Sequence, residues 1–232
     1  MGNRVSICIP AYDYNGKGAE VLDFSLSQLS KQTFHGFNVV ISDDSDGDNI
    51  KNVRTKWNRS LDIRYFVNSY AKGAASNTNH AIDKAPSSII KLLCQDDYLY
   101  DSSSLKIIVD HFTDDTKWLF TTYTHTKDRE NYYRFYRPSM NQNIELVNTL
   151  GTPSGLTFRK MIDTPRFDEK LAYHYDCDFY KRMYQRYGLP KIIDPLTMVN
   201  YIWDGSITSS LTEEQYSKEV EYIRSKYMNW PI

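Results

Sequence analysis

Ile89-Ile90-Lys91-Leu92-Leu93-Cys94-Gln95-Asp96-Asp97-Tyr98 is an apolar run that stops on two adjacent carboxylates. The run reads as a buried strand. Two neighbouring acids at its end repel one another, and the repulsion is worst against an apolar core. A divalent cation removes that cost, and hard cations prefer oxygen ligands. The plainer reading is an acidic turn that caps the next helix. Two further runs behave alike. Phe37-Asn38-Val39-Val40-Ile41-Ser42 leads into Asp43-Asp44-Ser45-Asp46-Gly47-Asp48, and Val5-Ser6-Ile7-Cys8-Ile9 stops at Pro10-Ala11-Tyr12. Short β-branched strands with helical pattern between them predict consecutive βαβ units and a parallel sheet. In such a sheet ligands gather outside the carboxyl ends of the strands. Tyr12, Asp43, Asp44, Asp96 and Asp97 are therefore expected to converge on one crevice.

The periodicity between these runs fills in the frame. Val21, Leu22, Leu26 and Leu29 fall at helical spacing, Asn77 to Lys84 reads as a short helix stopped by Pro86, and Asp101 precedes an amphipathic helix carrying Leu105, Ile108, Val109 and Phe112. Trp118 to Tyr123 reads as a strand. Phe179, Met183 and Tyr187 give a helix closed by Gly188 and Pro190. Thr212-Glu213-Glu214-Gln215 has the form of a capping box before the apolar stripe Tyr216, Val220, Ile223, Tyr227. Residues 124 to 150 carry the least pattern, and a mobile hairpin or loop is expected there.

Composition narrows the class. A chain of 232 residues with 41% apolar content can bury a core as one α/β domain. A net charge of −1 argues against nucleic acid as partner. No apolar run approaches the roughly 18 residues that span a bilayer. A strand begins near residue 5, so no signal peptide is expected, and Cys8, Cys94 and Cys177 read as reduced core thiols of a cytoplasmic protein rather than bridges or zinc ligands.

Taken in order, Val5–Tyr12, Gln32-Thr33, Val39–Asp48, Gly73–Ala85 and Leu92–Asp97 resemble the nucleotide-sugar half of the family 2 glycosyltransferases, which adopt the GT-A fold. Gly155–Lys160, Phe167–Leu171, Asp176–Met183 and Asn200–Thr208 resemble that family's acceptor half. The resemblance covers residues 4 to 208. It implies a single GT-A, Rossmann-like domain over 1–232, with a mixed, mostly parallel central sheet flanked by helices. Residues 1–100 would form the nucleotide-sugar-binding half, 101–210 the acceptor half and 211–232 a C-terminal helix.

The resemblance also implies an activity: an inverting, metal-dependent transfer of a sugar from a UDP- or dTDP-sugar to a hydroxyl of a saccharide or glycan acceptor. Asp97 would be the direct ligand of Mn2+ or Mg2+, and Asp96 would touch the ribose or share the metal. Gln95 stands where the family's acid triplet begins. Pro10, Ala11 and Tyr12 would lie against the pyrimidine, with Tyr12 stacked on it. Asp43, ranked above Asp44, would accept the N3–H of uracil or thymine, which cytosine lacks. Asn79 matches a recurrent family Asn; a structural role inside its helix is the alternative. Lys72 is a candidate for the phosphates, against a plain surface role.

The acceptor hydroxyl needs a base, and in the resembling enzymes this is the Asp that opens the helix after the Phe-Asp-Glu segment, here Asp176. Asp178 is the second candidate, and His174 either binds acceptor or caps the helix. Trp203 occupies the position where the family often has a metal-binding His; Asp204 is a weaker substitute. Two rival readings remain: a non-catalytic sugar-nucleotide-binding protein and a sugar-1-phosphate nucleotidyltransferase. The second would need a Gly-rich, basic loop after the first strand, and Ala11–Gly18 holds two glycines and one lysine.

Overall fold

The computed structural model describes residues 4–14, 16–203 and 212–228. The first half alternates strand and helix: Val5–Ala11 (β1), Lys17–Leu29 (α1), Phe37–Asp43 (β2), Asn49–Trp57 (α2), Ile63–Val67 (β3), Ala74–Lys84 (α3) and Ile89–Leu92 (β4). β1 lies between β2 and β4, and β3 borders β2, all parallel. The register pairs Ala11 with Asp43. That pairing brings the ends of β1 and β2 to one level, as the sequence pattern requires. Burial on both faces explains why these strands are continuous apolar runs rather than alternating ones.

The second half is less regular. It runs through Tyr98–Leu99 (β5), Ser104–His111 (α4), Trp118–Thr126 (β6), Tyr132–Tyr136 (β7), a 3-10 turn at Pro153–Gly155, Leu156–Arg159 (β8), Tyr175–Tyr187 (α5), Lys191–Tyr201 (β9) and Glu213–Tyr227 (α6). All nine strands form one sheet in the order β3-β2-β1-β4-β8-β6-β9-β5, with β7 also on β6. β4–β8, β6–β8, β6–β7 and β5–β9 pair antiparallel, whereas β6–β9 is parallel. The expected mixed α/β sheet flanked by helices is therefore present, its parallel character concentrated in the first half.

Two apolar layers sandwich the sheet. Alternate residues of β1 and β2 (Ile7, Ile9, Val39, Ile41) meet Leu22, Leu26 and Leu29 of α1 and Leu105, Ile108 and Val109 of α4. The opposite face joins Val40, Ile90, Trp118, Phe120 and Phe158 to Phe179, Tyr180 and Met183 of α5. The expected helices are found, including the capping box at Thr212 and Gln215. Residues 124–150 hold the hairpin between β6 and β7. The pattern did not mark α2, β3, β8 or β9. β3 is a half-exposed edge strand, and β9 carries Pro195 where its pairing with β6 shifts register.

Candidate active site

The three strand ends meet as expected and are tied together by side chains. The Gln95 amide pairs with the Tyr12 backbone in both directions: Tyr12 N–H donates to Gln95 Oε1 at 2.8 Å, and Gln95 Nε2 donates to Tyr12 O at 2.8 Å. Gln95 thus clamps the end of β1 to the end of β4. Ala11 O accepts from Asp44 N–H at 2.9 Å and from Asn77 Nδ2 at 3.0 Å. Gly18 is needed here, because a Cβ at that position would run into the Tyr12 carbonyl. The Tyr12 ring itself is 50% exposed, free to take a partner on its face.

Asp43 and Asp44 are both buried. Asp43 accepts from Ser45 N–H at 2.9 Å and from the Tyr65 hydroxyl at 2.6 Å. Asp44 accepts from Asn68 Nδ2 at 2.8 Å and Gly73 N–H at 2.9 Å. Each oxygen keeps a spare lone pair, but their first task is to shape the slot. Lys72 lies over this turn, donating to the Asp44 carbonyl and to Asp46 Oδ1, with its side chain largely in solvent.

The acid pair divides sharply. Asp97 is fully buried. Its Oδ1 accepts from Asn200 Nδ2 at 2.8 Å and Tyr201 N–H at 3.1 Å, and its Oδ2 from the Thr152 hydroxyl at 3.1 Å. Asp96 is half-buried and has one strong side-chain partner, Trp203 Nε1 at 2.7 Å. Burial pushes both carboxyls upward, and for Asp96 the neighbouring Asp97 charge adds to it. The sequence reading has Asp97 as the direct ligand of a cation and Asp96 touching the ribose or sharing the metal; in the structure Asp97 makes more hydrogen bonds to protein than Asp96 does. Asp97 is the buried acid of the two, and Asp96 the more accessible one. Asp96 and Asp97 oxygens and the Cys94 sulfur lie within 4.8 Å of one another, a donor set compatible with a divalent cation. Cys94 is half-buried at this cluster, in contrast to the buried core thiols Cys8 and Cys177. The expectation of a third core thiol is corrected accordingly.

Across the crevice, Asp176 opens α5 and is buried. Asn148 Nδ2 donates to its Oδ2 at 3.0 Å, and Cys177 N–H to its Oδ1 at 2.7 Å. Burial pushes its carboxyl up to about 6. The segment from Asn148 to Ser154 touches both sides: Asn148 holds Asp176, Thr152 holds Asp97, and the Ser154 hydroxyl accepts from Cys94 N–H at 2.8 Å. Gly151 makes the bend possible at φ +89°, packed so closely on the Tyr123 hydroxyl that no Cβ fits. Lys91, fully buried on β4, anchors the same segment through the Ser154 carbonyl.

Other expected site residues are engaged elsewhere. Asn79 is locked onto Phe167, donating to its carbonyl and accepting from its N–H at 2.9 Å each, and donates to Glu169. These bonds correspond to the structural alternative for Asn79. Asp178 is paired with Arg182 and with Lys226 of α6, and accepts from the Tyr227 hydroxyl at 2.7 Å. His174 stands at the N-cap position of α5, where its carbonyl accepts from Asp178 N–H at 2.9 Å, but its side chain makes no cap bond. Instead the Glu219 carboxylate of α6 accepts from the N–H groups of Ala172, Tyr173 and His174 and contacts His174 Nδ1 at 3.3 Å. Asp204 and the Gly205–Thr208 segment lie outside the described residues.

Comparison with known proteins bears on the family and the fold. A family model described as glycosyl transferase family 2 matches residues 6–190. The GalNAc(5)-diNAcBac-PP-undecaprenol beta-1,3-glucosyltransferase of Campylobacter jejuni is 26% identical over 98 residues, 41% of this chain and 30% of that protein. The UDP-Glc:alpha-D-GlcNAc-diphosphoundecaprenol beta-1,3-glucosyltransferase of Escherichia coli is 32% identical over 93 residues, 40% of this chain and 35% of that protein. These alignments span about a third of each relative's length. In fold, residues 1–349 of S. aureus TarS with UDP-GlcNAc superpose at a TM-score of 0.73, with 19% identity, over 100% of this chain and 68% of that one. A mannosyltransferase of Pyrobaculum calidifontis with GDP-Man and Mn2+ superposes at 0.72, with 12% identity, over 100% of this chain and 66% of that one.

Proposed function

This chain belongs to glycosyl transferase family 2, and from that premise we propose that it moves a sugar from a uridine or thymidine diphosphate sugar onto a saccharide hydroxyl, with inversion and with a divalent cation on the pyrophosphate. The observation that carries the reading is the loop from Asn148 to Ser154, which holds Asp176 at one end and Asp97 with Cys94 at the other. One short segment thus sets the distance between a donor acid and an acceptor acid.

In this reading Asp96 is the residue that holds the cation, and Asp97 positions it by fixing the turn to β9. The cation, Mn2+ or Mg2+, supplies charge neutralisation for the departing diphosphate. Asp176 takes the proton of the acceptor hydroxyl. A carboxyl held near 6 is ionised at neutral pH and is a stronger base than an ordinary aspartate. Asn148 keeps it oriented. Tyr12 stacks on the pyrimidine, with Pro10 and Ala11 forming the floor and the spare lone pairs of Asp43 or Asp44 accepting N3–H. Uridine is supported by the UDP-Glc in the name of the Escherichia coli relative and by the UDP-GlcNAc complex among the structural neighbours. Both curated relatives name an undecaprenol-linked diphosphate, which supports a lipid-linked saccharide as acceptor.

Trp203 on Asp96 favours one alternative, a protein that binds sugar nucleotides without turning them over. Incubation of the protein with UDP-, dTDP- and GDP-sugars and Mn2+, followed by chromatography for released nucleoside diphosphate, separates the two. Metal-dependent release of UDP or dTDP is expected from slow hydrolysis even without acceptor. Binding of every donor with no release under any condition would establish the alternative.

A further inference from the structure

Cys94 is the one side chain at the acid pair that the transfer reading leaves without a task. It sits where β4 has ended, its N–H fixed by the Ser154 hydroxyl at 2.8 Å. Its sulfur and the oxygens of Asp96 and Asp97 all lie within 4.8 Å of one another. The neighbouring candidates for a third donor are committed elsewhere. Gln95 gives both amide ends to the Tyr12 backbone. Trp203 donates to Asp96 and has no lone pair to offer a metal. Asp97 already accepts from three protein donors. Beside the two carboxylates, Cys94 is the side chain whose donor atom lies within this set.

We propose that Cys94 is a direct ligand of the cation at Asp96, so that this is a mixed sulfur and oxygen centre selective for thiophilic divalent cations over Mg2+. The inference rests on the metal reading above. Mg2+ demands hard oxygen ligands in near-octahedral array, whereas sulfur ligands select softer ions such as Co2+, Zn2+ and Cd2+. On binding, the S–H bond breaks, its proton passes to solvent, and a sulfur–metal bond forms; no electron is transferred. Cys8 and Cys177 are buried and are not members of this cluster.

The test is a titration of the protein with Co2+ in the presence of UDP, followed by near-ultraviolet absorption. A sulfur-to-cobalt charge-transfer band is expected in the wild type and is lost in Cys94→Ser. The same substitution should weaken Cd2+ binding by on the order of tenfold or more while changing Mn2+ binding less. Mn2+ binding, read by water-proton relaxation, is the control that separates the two readings. A wild type that binds Mn2+ with UDP but shows no band with Co2+ overturns the role of Cys94 and leaves the metal reading standing. A wild type that binds neither ion overturns the metal reading itself. Because the first outcome is read on the unmodified protein, it does not depend on the variant folding; for the variant, an unchanged melting temperature accompanies the expected loss of the band.

Discussion

The strand ends of the first hundred residues and the segments that close over them from the second half build one crevice by different physical means. Tyr12, Asp43 and the acid pair are delivered by sheet register: parallel strands of similar length end at one edge, and whatever follows them in sequence arrives there. The opposite wall is delivered by side-chain hydrogen bonds between distant residues. Asn200 reaches Asp97 across 103 positions, Trp203 reaches Asp96 across 107, and Thr152 reaches Asp97 across 55. The first kind of assembly tolerates substitution of individual polar residues. The second depends on each of them, because every buried donor left without an acceptor costs about 1–3 kcal/mol.

The largest expected effect falls on the wall built by contacts. Asp176→Asn should lower the transfer rate by about 10²–10⁴-fold while leaving donor binding intact. Rapid-quench kinetics with a radiolabelled donor measures it, and a surviving rate with lost binding would place Asp176 on the donor side instead. The pH dependence follows from the same group. A base must be deprotonated, and burial holds this one near 6, so kcat should fall as pH drops through about 6 rather than near 4. The stability consequence has the opposite sense. Folding raises this carboxyl, so its contribution to stability is present at low pH and is lost as pH rises through about 6. Asp176→Asn should therefore melt higher than wild type at pH 7.5, with the difference shrinking at pH 4, as calorimetry would show.

Next in size is Asp97→Leu. It strands the Asn200, Tyr201 and Thr152 donors and should cost about 3 kcal/mol or more. A midpoint shift in urea unfolding tests it; an unchanged midpoint would mean Asp97 is free to serve a cation directly, and the division between the two acids would collapse. Asp178→Ala separates α5 from Lys226 and Tyr227 of α6, and a cost of about 2 kcal/mol is expected because both cations it pairs with reach partly into solvent. The smallest effect belongs to the wall set by register. Gln95→Leu removes a two-way clamp on Tyr12, yet the strands still end where they do, and a loss of about 1 kcal/mol is expected. A loss as large as that of Asp97→Leu would show that side chains, not register, hold that wall.

The same contrast explains what could be read from the sequence. An apolar run ending in Asp96-Asp97 announces a strand and its edge, and Val39–Asp48 and Val5–Tyr12 repeat the message, so the parallel half and its acids were legible. Which of two adjacent acids turns toward the crevice was not. That is decided by Asn200, Tyr201 and Thr152, and no local pattern connects these to Asp97. The choice between the two roles open to Asn79 was not legible for the same reason, its partner Phe167 being 88 positions away. Cys94 looked like a core thiol because the strand before it is buried; the chain leaves the sheet at Leu92, two residues earlier. Asn148 gave one local sign, the Gly151 bend three positions on, where the backbone turns to a positive φ.

The most direct test is isothermal titration of UDP, with and without Mn2+, into wild type, Asp96→Asn and Asp176→Asn. A cation held by Asp96 at a strand-end nucleotide site predicts Mn2+-dependent binding in wild type and Asp176→Asn, and its loss in Asp96→Asn with the fold intact. Equal UDP affinity in all three proteins, with or without Mn2+, would contradict it.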